Sequence, residues 1–224
     1  MHYPYPMPSS RELVLVRHGQ STANVKGIWQ GQMDFPLSEE GRLQAGMAGL
    51  ALSRETFDGL YSSPLSRAFE TAGIIRSRTA FGGEVVPVDG LSERSGGILE
   101  GYTWAEQEKS NPELAEKFLA IPEEDRWALV GAETDEDVIA RFGDAIASIS
   151  ASHPDRSRIV IVSHGGVMRA YLRELFGPEV LPGAQRAANA SITRMQWDEA
   201  GPRRLLELAT TSHLAEDPGP TAVE

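Results

Sequence analysis

Cysteine is absent from the 224 residues, and this removes disulfides, thiolate metal sites and any cysteine-nucleophile chemistry. Positive charge is scarce. Lys and Arg number 21 against 32 Asp and Glu, for a net charge of −11, which argues against nucleic acid or an anionic membrane surface as a partner. Lysine is confined to Lys26, Lys109 and Lys117, so almost every cation is a guanidinium. No apolar run approaches the ~20 residues of a membrane span, and Met1–Ser10 lacks the apolar core of a signal peptide. The expected location is the cytoplasm. The Gly-x-x-x-x-Gly-Lys-Ser/Thr loop of nucleoside triphosphate sites and the His-Glu-x-x-His of zinc proteases are both missing. The acidic run Asp135-Glu136-Asp137 lacks calcium-loop spacing and reads as the charged first turn of a helix.

What is present is organised around two similar units. Leu13-Val14-Leu15-Val16 runs into Arg17-His18-Gly19-Gln20, and Ile159-Val160-Ile161-Val162 runs into Ser163-His164-Gly165-Gly166. Four consecutive aliphatic residues read as a strand buried on both faces, as in a parallel sheet. Each histidine then sits just past the carboxyl end of its strand, where open α/β sheets place ligands.

The rest of the chain fits an α/β alternation. Residues 1–10 read as a flexible leader, 11–212 as one domain, about 100–132 as a helical insertion covering the sheet rim, and 213–224 as a mobile acidic tail. The first strand spans about Glu12–Val16, followed by a long polar loop from Arg17 to Leu37, a length uncommon unless functional. Ser38 is expected to cap a helix with Leu43, Met47, Leu50 and Ala51 on its apolar face. Phe57–Tyr61 reads as a second strand, and Ser62-Ser63-Pro64 as the cap and first turn of the next helix. That helix carries Leu65, Ala68, Phe69, Ala72 and Ile75 on one stripe, with Arg67 and Glu70 off it. Glu84–Val88 reads as a third strand leading to Leu91-Ser92-Glu93-Arg94. Val138 to Ile149 mark an amphipathic helix starting near Thr134, and another covers about Val167–Phe176 before Gly177-Pro178. Ala190–Trp197 and Arg203–Thr210 are expected to pair as late strands. The expected fold is a three-layer α/β/α sandwich with a mostly parallel central sheet.

The rim chemistry follows from residue type. Guanidinium forks match phosphate oxygens bidentately, so Arg17, Arg67, His18 and His164, each by the end of its strand at one rim, suggest a phosphate-sized anion site. A neutral imidazole is a good nucleophile. Phosphoryl transfer to it spreads charge over three oxygens that fixed cations stabilise. Glu93, after the third strand, is a candidate proton donor for the leaving oxygen. Arg94 is a candidate partner for a second anionic group of the substrate. Trp104, Phe118 and Trp127 are candidates to shape the cover. His2, His153, His213 and the sequon Asn189-Ala190-Ser191 are set aside.

The motif Leu15-Val16-Arg17-His18-Gly19-Gln20-Ser21-Thr22-Ala23-Asn24 resembles the signature of the histidine phosphatase superfamily, in the branch containing cofactor-dependent phosphoglycerate mutase. The similarity continues through Gln30-Gly31, Asp34-Phe35-Pro36-Leu37-Ser38, Ser62-Ser63-Pro64-Leu65-Ser66-Arg67-Ala68, Leu91-Ser92-Glu93 and Ser163-His164-Gly165-Gly166. The resemblance implies that His18 is the phosphorylated nucleophile and Glu93 the acid–base. It makes Arg17, Arg67 and His164 the cationic pocket, with Asn24 and Gly165 adding phosphate contacts and Gln30 and Gly31 lying near the substrate. It implies no metal and no cofactor. Departures also count: Ser21 stands where threonine is common, Ile28 where many members have arginine. The mutases follow the glutamate with Arg-His-Tyr-Gly, but here Arg94-Ser95-Gly96-Gly97 follows. Gly166 replaces the mutase asparagine, and the mutases' basic, proline-rich insertion is not visible in Glu100–Gly131. These differences favour a metal-independent phosphatase of a small phosphorylated metabolite. The alternatives are a phosphoglycerate mutase and a catalytically weak phospholigand-binding protein. The sequence assigns no oligomeric state.

Overall fold

The computed structural model describes residues 10–183, 185–198 and 201–215. The expected leader, apart from Ser10, and the tail beyond residue 215 lie outside them. In chain order the elements are β1 (Arg11–Arg17), α1 (Thr22–Lys26), α2 (Glu39–Leu52), β2 (Gly59–Ser62), α3 (Ser66–Arg78) and β3 (Val86–Pro87). After two short 3-10 turns come α4 (Trp104–Ser110), α5 (Pro112–Ala120), α6 (Glu123–Leu129), α7 (Asp135–Ala151), β4 (Arg158–Ser163), α8 (Gly165–Phe176), β5 (Ile192–Asp198) and β6 (Gly201–Thr210).

The strands form one sheet in the order β3-β2-β4-β1-β5-β6. The first four run parallel, while β5 is antiparallel to both β1 and β6. The two histidine-bearing strands are direct neighbours, with Val16 opposite Val162 and Arg17 opposite Ser163. That register brings His18 and His164 side by side.

Because side chains alternate along a strand, each aliphatic run feeds two cores. Leu13, Leu15, Ile159 and Ile161 face α7 and α8, packing on Phe142, Ile146, Met168 and Leu172. Val14, Val16, Val160 and Val162 face the other way, onto Ala48, Leu52, Ala68, Ala72 and Ile75 of α2 and α3. This is the expected three-layer sandwich. No helix among the described residues is long and apolar enough to cross a membrane.

Four local expectations need correction. The polar loop after His18 is interrupted by α1, whose Ser21 and Asn24 form a reciprocal capping box. Helix α2 begins at the expected cap, Ser38, but buries Gly41, Ala45, Ala48, Gly49 and Leu52, and leaves Leu43 63% exposed. A Cβ on Gly41 would lie 2.0 Å from the Gln20 carbonyl oxygen, and one on Gly19 would lie 2.2 Å from that of Gly41. The helix therefore meets the loop by its smallest residues, a contact that hydrophobic periodicity does not register. Helix α3 starts later than Ser62-Ser63-Pro64 implies, and its first turn is capped from a distance: the Ser66 N–H donates to Asp34 Oδ1 at 2.8 Å. Phe69, expected on the buried stripe, is 41% exposed. The third strand shrinks to Val86–Pro87, an exposed edge where proline is tolerated because it has no N–H to pair.

Over the carboxyl end of the sheet stand α4, α5 and α6. Their Phe118 and Trp127, with the flanking Leu99, Val130 and Ala132, form a separate apolar cluster, joined by Trp29 and Trp104. Trp29 N donates to Tyr102 O at 2.9 Å and Gly101 N to Trp29 O at 2.8 Å. The loop after α1 and the insertion are thus one wall.

Candidate active site

Below that wall lies a cavity of about 550 Å³. Its floor holds Arg17, His18, Arg67, Glu93, Gly165 and Gly166, and its sides include Trp29, Trp104, Phe118 and Trp127. Asn24, Gln30, Gly31 and Arg94 also line it. Nine of the ten residues expected at the site line this cavity, and the tenth, His164, is buried beside His18.

The two imidazoles are buried, with ring centroids 5.1 Å apart. His18 Nδ1 lies 2.6 Å from the Gly19 carbonyl oxygen. A carbonyl only accepts, so Nδ1 carries the proton and Nε2 keeps its lone pair. Burial, reinforced by the charges of Arg17 and Arg67, holds His18 well below the usual histidine range. The ring is neutral at pH 7, as a nucleophile must be.

His164 caps the amino end of α8 by position. Its Nε2 is 2.8 Å from Ser63 Oγ, and Ser63 Oγ accepts from Leu65 N at 3.2 Å. The Ser63 O–H has no other acceptor among the described residues, and donating it to Nε2 is the arrangement that puts the ring proton on Nδ1. His164 Nδ1 is buried and has no partner among the described residues. Burial first, then Arg67, His18, Arg17 and Arg141, keep this ring well below the usual range too.

Arg67 is 1% exposed and held by two carbonyls of the loop, Met33 O at 2.9 Å and Gly31 O at 2.8 Å. Helical periodicity put it off the buried stripe of α3, yet it is the largest fully buried side chain of the described residues. Arg17 Nη1 donates to Ala187 O at 2.5 Å. The Nε of each arginine is buried without a partner. Burial lowers both guanidinium pKa values, that of Arg17 to about 10, against the pull of Glu93. Both remain cations at pH 7. An orphaned imidazole nitrogen and two orphaned guanidinium nitrogens around one spot describe a receptor for an anion with several oxygens.

Glu93 stands opposite, at the start of α8. Its Oε1 accepts from Arg94 N at 2.8 Å and Val167 N at 2.7 Å, and its Oε2 from Gly166 N at 2.9 Å. The helix amino terminus favours a carboxylate there. Glycine at 166 lets the carboxylate come this close, since a Cβ would lie 2.7 Å from Glu93 Oε1 and the side chain would have to shift. Gly165 lets Arg17 lie against the helix start, its missing Cβ 3.0 Å from Arg17 Nε. Gly31 has a positive φ of 49°, and a Cβ there would overlap Glu100.

Asn24 Oδ1 is used by Ser21 N at 3.0 Å and by Asn189 Nδ2 at 3.2 Å, so only its amide nitrogen is left to meet a ligand. Gln30 Oε1 accepts from Ser21 Oγ at 2.7 Å. Arg94 lines the cavity, but its guanidinium is already engaged. It pairs with Asp135, donates to Glu133 O and lies 4.4 Å from the Trp127 ring centre. It braces the cover against α7.

Several residues at the site carry no sequence signal. Asn189, read only as part of a sequon, donates to His18 O at 3.1 Å as well as to Asn24. Arg141 of α7 reaches Gly90 O and Ser92 O at 2.9 and 3.0 Å and pairs with Glu133, pegging the loop that carries Glu93. Arg186 reaches the rim from the segment between α8 and β5. Strand-end logic finds residues next to a β-strand; these three arrive from loops and a helix face. His153 contacts Tyr61 Oη at 2.9 Å at the amino end of the sheet, away from the cavity.

The family model described as histidine phosphatase superfamily (branch 1) matches residues 13–209. A metal-independent phosphoserine phosphatase of Arabidopsis thaliana is 39% identical over 164 residues, 72% of this chain and 68% of that protein. A glucosyl-3-phosphoglycerate phosphatase of Mycobacterium tuberculosis is 37% identical over 199 residues, 85% of each chain. Among solved structures, mycobacterial glucosyl-3-phosphoglycerate phosphatase with VO3 superposes with a TM-score of 0.77 at 33% identity, over 90% of this chain and all of the other.

Proposed function

Because this chain belongs to branch 1 of the histidine phosphatase superfamily, we propose that it is a metal-independent phosphatase of a small phosphomonoester, acting through phospho-His18. The observation that carries the reading is the pairing of a nucleophile-ready imidazole with orphaned donors around it. His18 Nδ1–H is fixed on Gly19 O at 2.6 Å, and among the described residues Arg17 Nε, Arg67 Nε and His164 Nδ1 are buried without partners.

In the first step the Nε2 lone pair of His18 attacks phosphorus, a P–N bond forms, and the ester P–O bond breaks. Glu93, which enters this step in its protonated form, gives that proton to the departing oxygen and becomes the carboxylate. Arg17, Arg67, the Nδ1–H of His164 and the Asn24 amide hold the non-bridging oxygens, whose charge grows in the transition state. In the second step Glu93 takes a proton from water as that water attacks phosphorus. The P–N bond breaks, inorganic phosphate leaves, and both residues return to their starting states.

Residues 11–212 act in this reading as one catalytic domain, with about 100–132 as its cover. Phosphatase action is favoured over mutase action because the mutase residues after Glu93 and His164 are replaced by Ser95-Gly96-Gly97 and Gly166. A pure phospholigand binder is disfavoured by the intact carboxylate beside the nucleophile. The relatives named for phosphoserine and glucosyl-3-phosphoglycerate support a small acidic or sugar phosphate as substrate. Incubation with 3-phosphoglycerate plus 2,3-bisphosphoglycerate, followed by phosphorus NMR, tests the assignment. Free phosphate with little 2-phosphoglycerate is expected; rapid isomerisation would identify a mutase.

A further inference from the structure

The chain is acidic overall, at −11, yet its cavity is lined by six arginines and two glutamates. Arg17 and Arg67 belong to the floor. Arg94 is neutralised by Asp135, and Arg169 by Glu123, whose two carboxylate oxygens it meets at 2.9 and 3.2 Å. Arg126 is turned toward the carbonyls of Ile121 and Leu119. Arg186 remains. Among the described residues it has no hydrogen bond and no ion pair, and its guanidinium lies 5.3 Å from the ring centre of Trp29.

That placement matters physically. The guanidinium carbon lies over the Trp29 ring, and a cation–π contact of this kind uses none of its N–H donors. The Arg186 charge also reaches the floor, where it adds to burial in lowering the pKa of Arg17. A phosphate bound among Arg17, Arg67 and His164 compensates the floor, but the rim cation keeps no counter-charge. The cavity is also far larger than one phosphate. At about 550 Å³ it falls in the ~300–1,000 Å³ range of sites that enclose a whole small molecule.

We propose that Arg186, held on Trp29, is a second anion subsite, and that the substrate is a phosphomonoester carrying a second acidic group, a carboxylate or another phosphate, at its far end. The body of such a molecule spans the aromatic-walled space between rim and floor. The inference rests on the phosphatase reading and narrows its substrate class.

Three probes that differ only at the far carbon test it: sorbitol 6-phosphate, 6-phosphogluconate and sorbitol 1,6-bisphosphate. Each is measured as a substrate and as a competitor of p-nitrophenyl phosphate hydrolysis. At least one acidic probe should exceed sorbitol 6-phosphate about tenfold in kcat/KM or in competition, the size of one charge-assisted hydrogen bond. Which of the two wins separates carboxylate from phosphate. In Arg186→Ala the ratio of acidic to neutral probe should fall toward one, and in Arg186→Glu it should invert. Equal handling of all three probes by the native protein would overturn the subsite and leave the phosphatase reading standing. So would equal losses on all three in Arg186→Ala. No phosphate release from any probe or from p-nitrophenyl phosphate would remove both.

Discussion

Glutamine at position 93 separates proton delivery from phosphate binding, because it keeps the side chain's volume and removes its acid–base capacity. The native carboxylate accepts three main-chain N–H groups, at 2.8, 2.7 and 2.9 Å. An amide can keep its oxygen at the Oε1 position and so retain Arg94 N and Val167 N. Its NH2 group then faces the Gly166 N–H, donor against donor. The lost bond costs about 1–3 kcal/mol, and this part of the damage falls on every substrate alike. Proton delivery does not: general acid catalysis supplies about 10²–10⁴-fold, and only when the departing oxygen is strongly basic. Glu93→Gln should therefore slow formation of phospho-His18 by about 10³–10⁵-fold on an alkyl phosphate, the proton-delivery factor multiplied by the shared loss of roughly tenfold. On p-nitrophenyl phosphate, whose leaving group needs no proton, the loss should be roughly tenfold, that of the missing hydrogen bond alone. Single-turnover quench measurements are needed, because hydrolysis of phospho-His18 also uses Glu93. Equal slowing on both substrates would mean that Glu93 positions the phosphate and does not protonate the leaving group.

The Ser63 hydroxyl, 2.8 Å from His164 Nε2, is expected to fix the tautomer that points a proton from Nδ1 at the phosphate. Ser63→Ala should lower kcat/KM about 10–100-fold, the cost of one unmatched buried group. Ser63→Thr should restore most of it, and the His164 ring 15N signals should change only in the alanine variant; a full loss in both variants would assign Ser63 to packing. Burial holds His18 and His164 well below the usual histidine range, so below pH ~6.5 the unfolded chain takes up protons that the folded chain does not. The stability tied to each neutral ring is complete above that pH and is lost as pH falls toward the folded value, by about 1.4 kcal/mol per unit per histidine. Urea midpoints measured without phosphate should fall on acidification, more steeply in the native protein than in His18→Asn; parallel slopes would contradict this.

The floor of the site was legible because it is built from strand ends. Leu13–Val16 and Ile159–Val162 announce two buried strands, and their adjacency in the sheet brings His18 beside His164. The order of strands in the sheet was not legible, because composition marks a strand as doubly buried without naming its neighbours. Legibility fails where contacts are made by small or distant groups. Helix α2 turns its glycines and alanines inward because the chain passes within backbone contact of Gly41, leaving Leu43 outside. Arg67 lies off the helix stripe yet is buried, because two loop carbonyls replace its water. Arg94 looked free in sequence, but Asp135, 41 residues away, claims it. Arg141, Asn189 and Arg186 reach the site from segments with no pattern of their own. Residues whose role depends on a partner far along the chain leave no local mark.

The central claim is a covalent phosphoryl group on His18, and rapid quenching tests it most directly. Protein mixed with a labelled phosphomonoester and denatured within the first turnover should carry phosphate that is acid-labile and base-stable, on the peptide containing Arg17-His18-Gly19. The label should disappear on chase with unlabelled substrate and be absent from His18→Ala, which should also lose turnover. Label on another residue, or turnover undiminished in His18→Ala, would contradict the account.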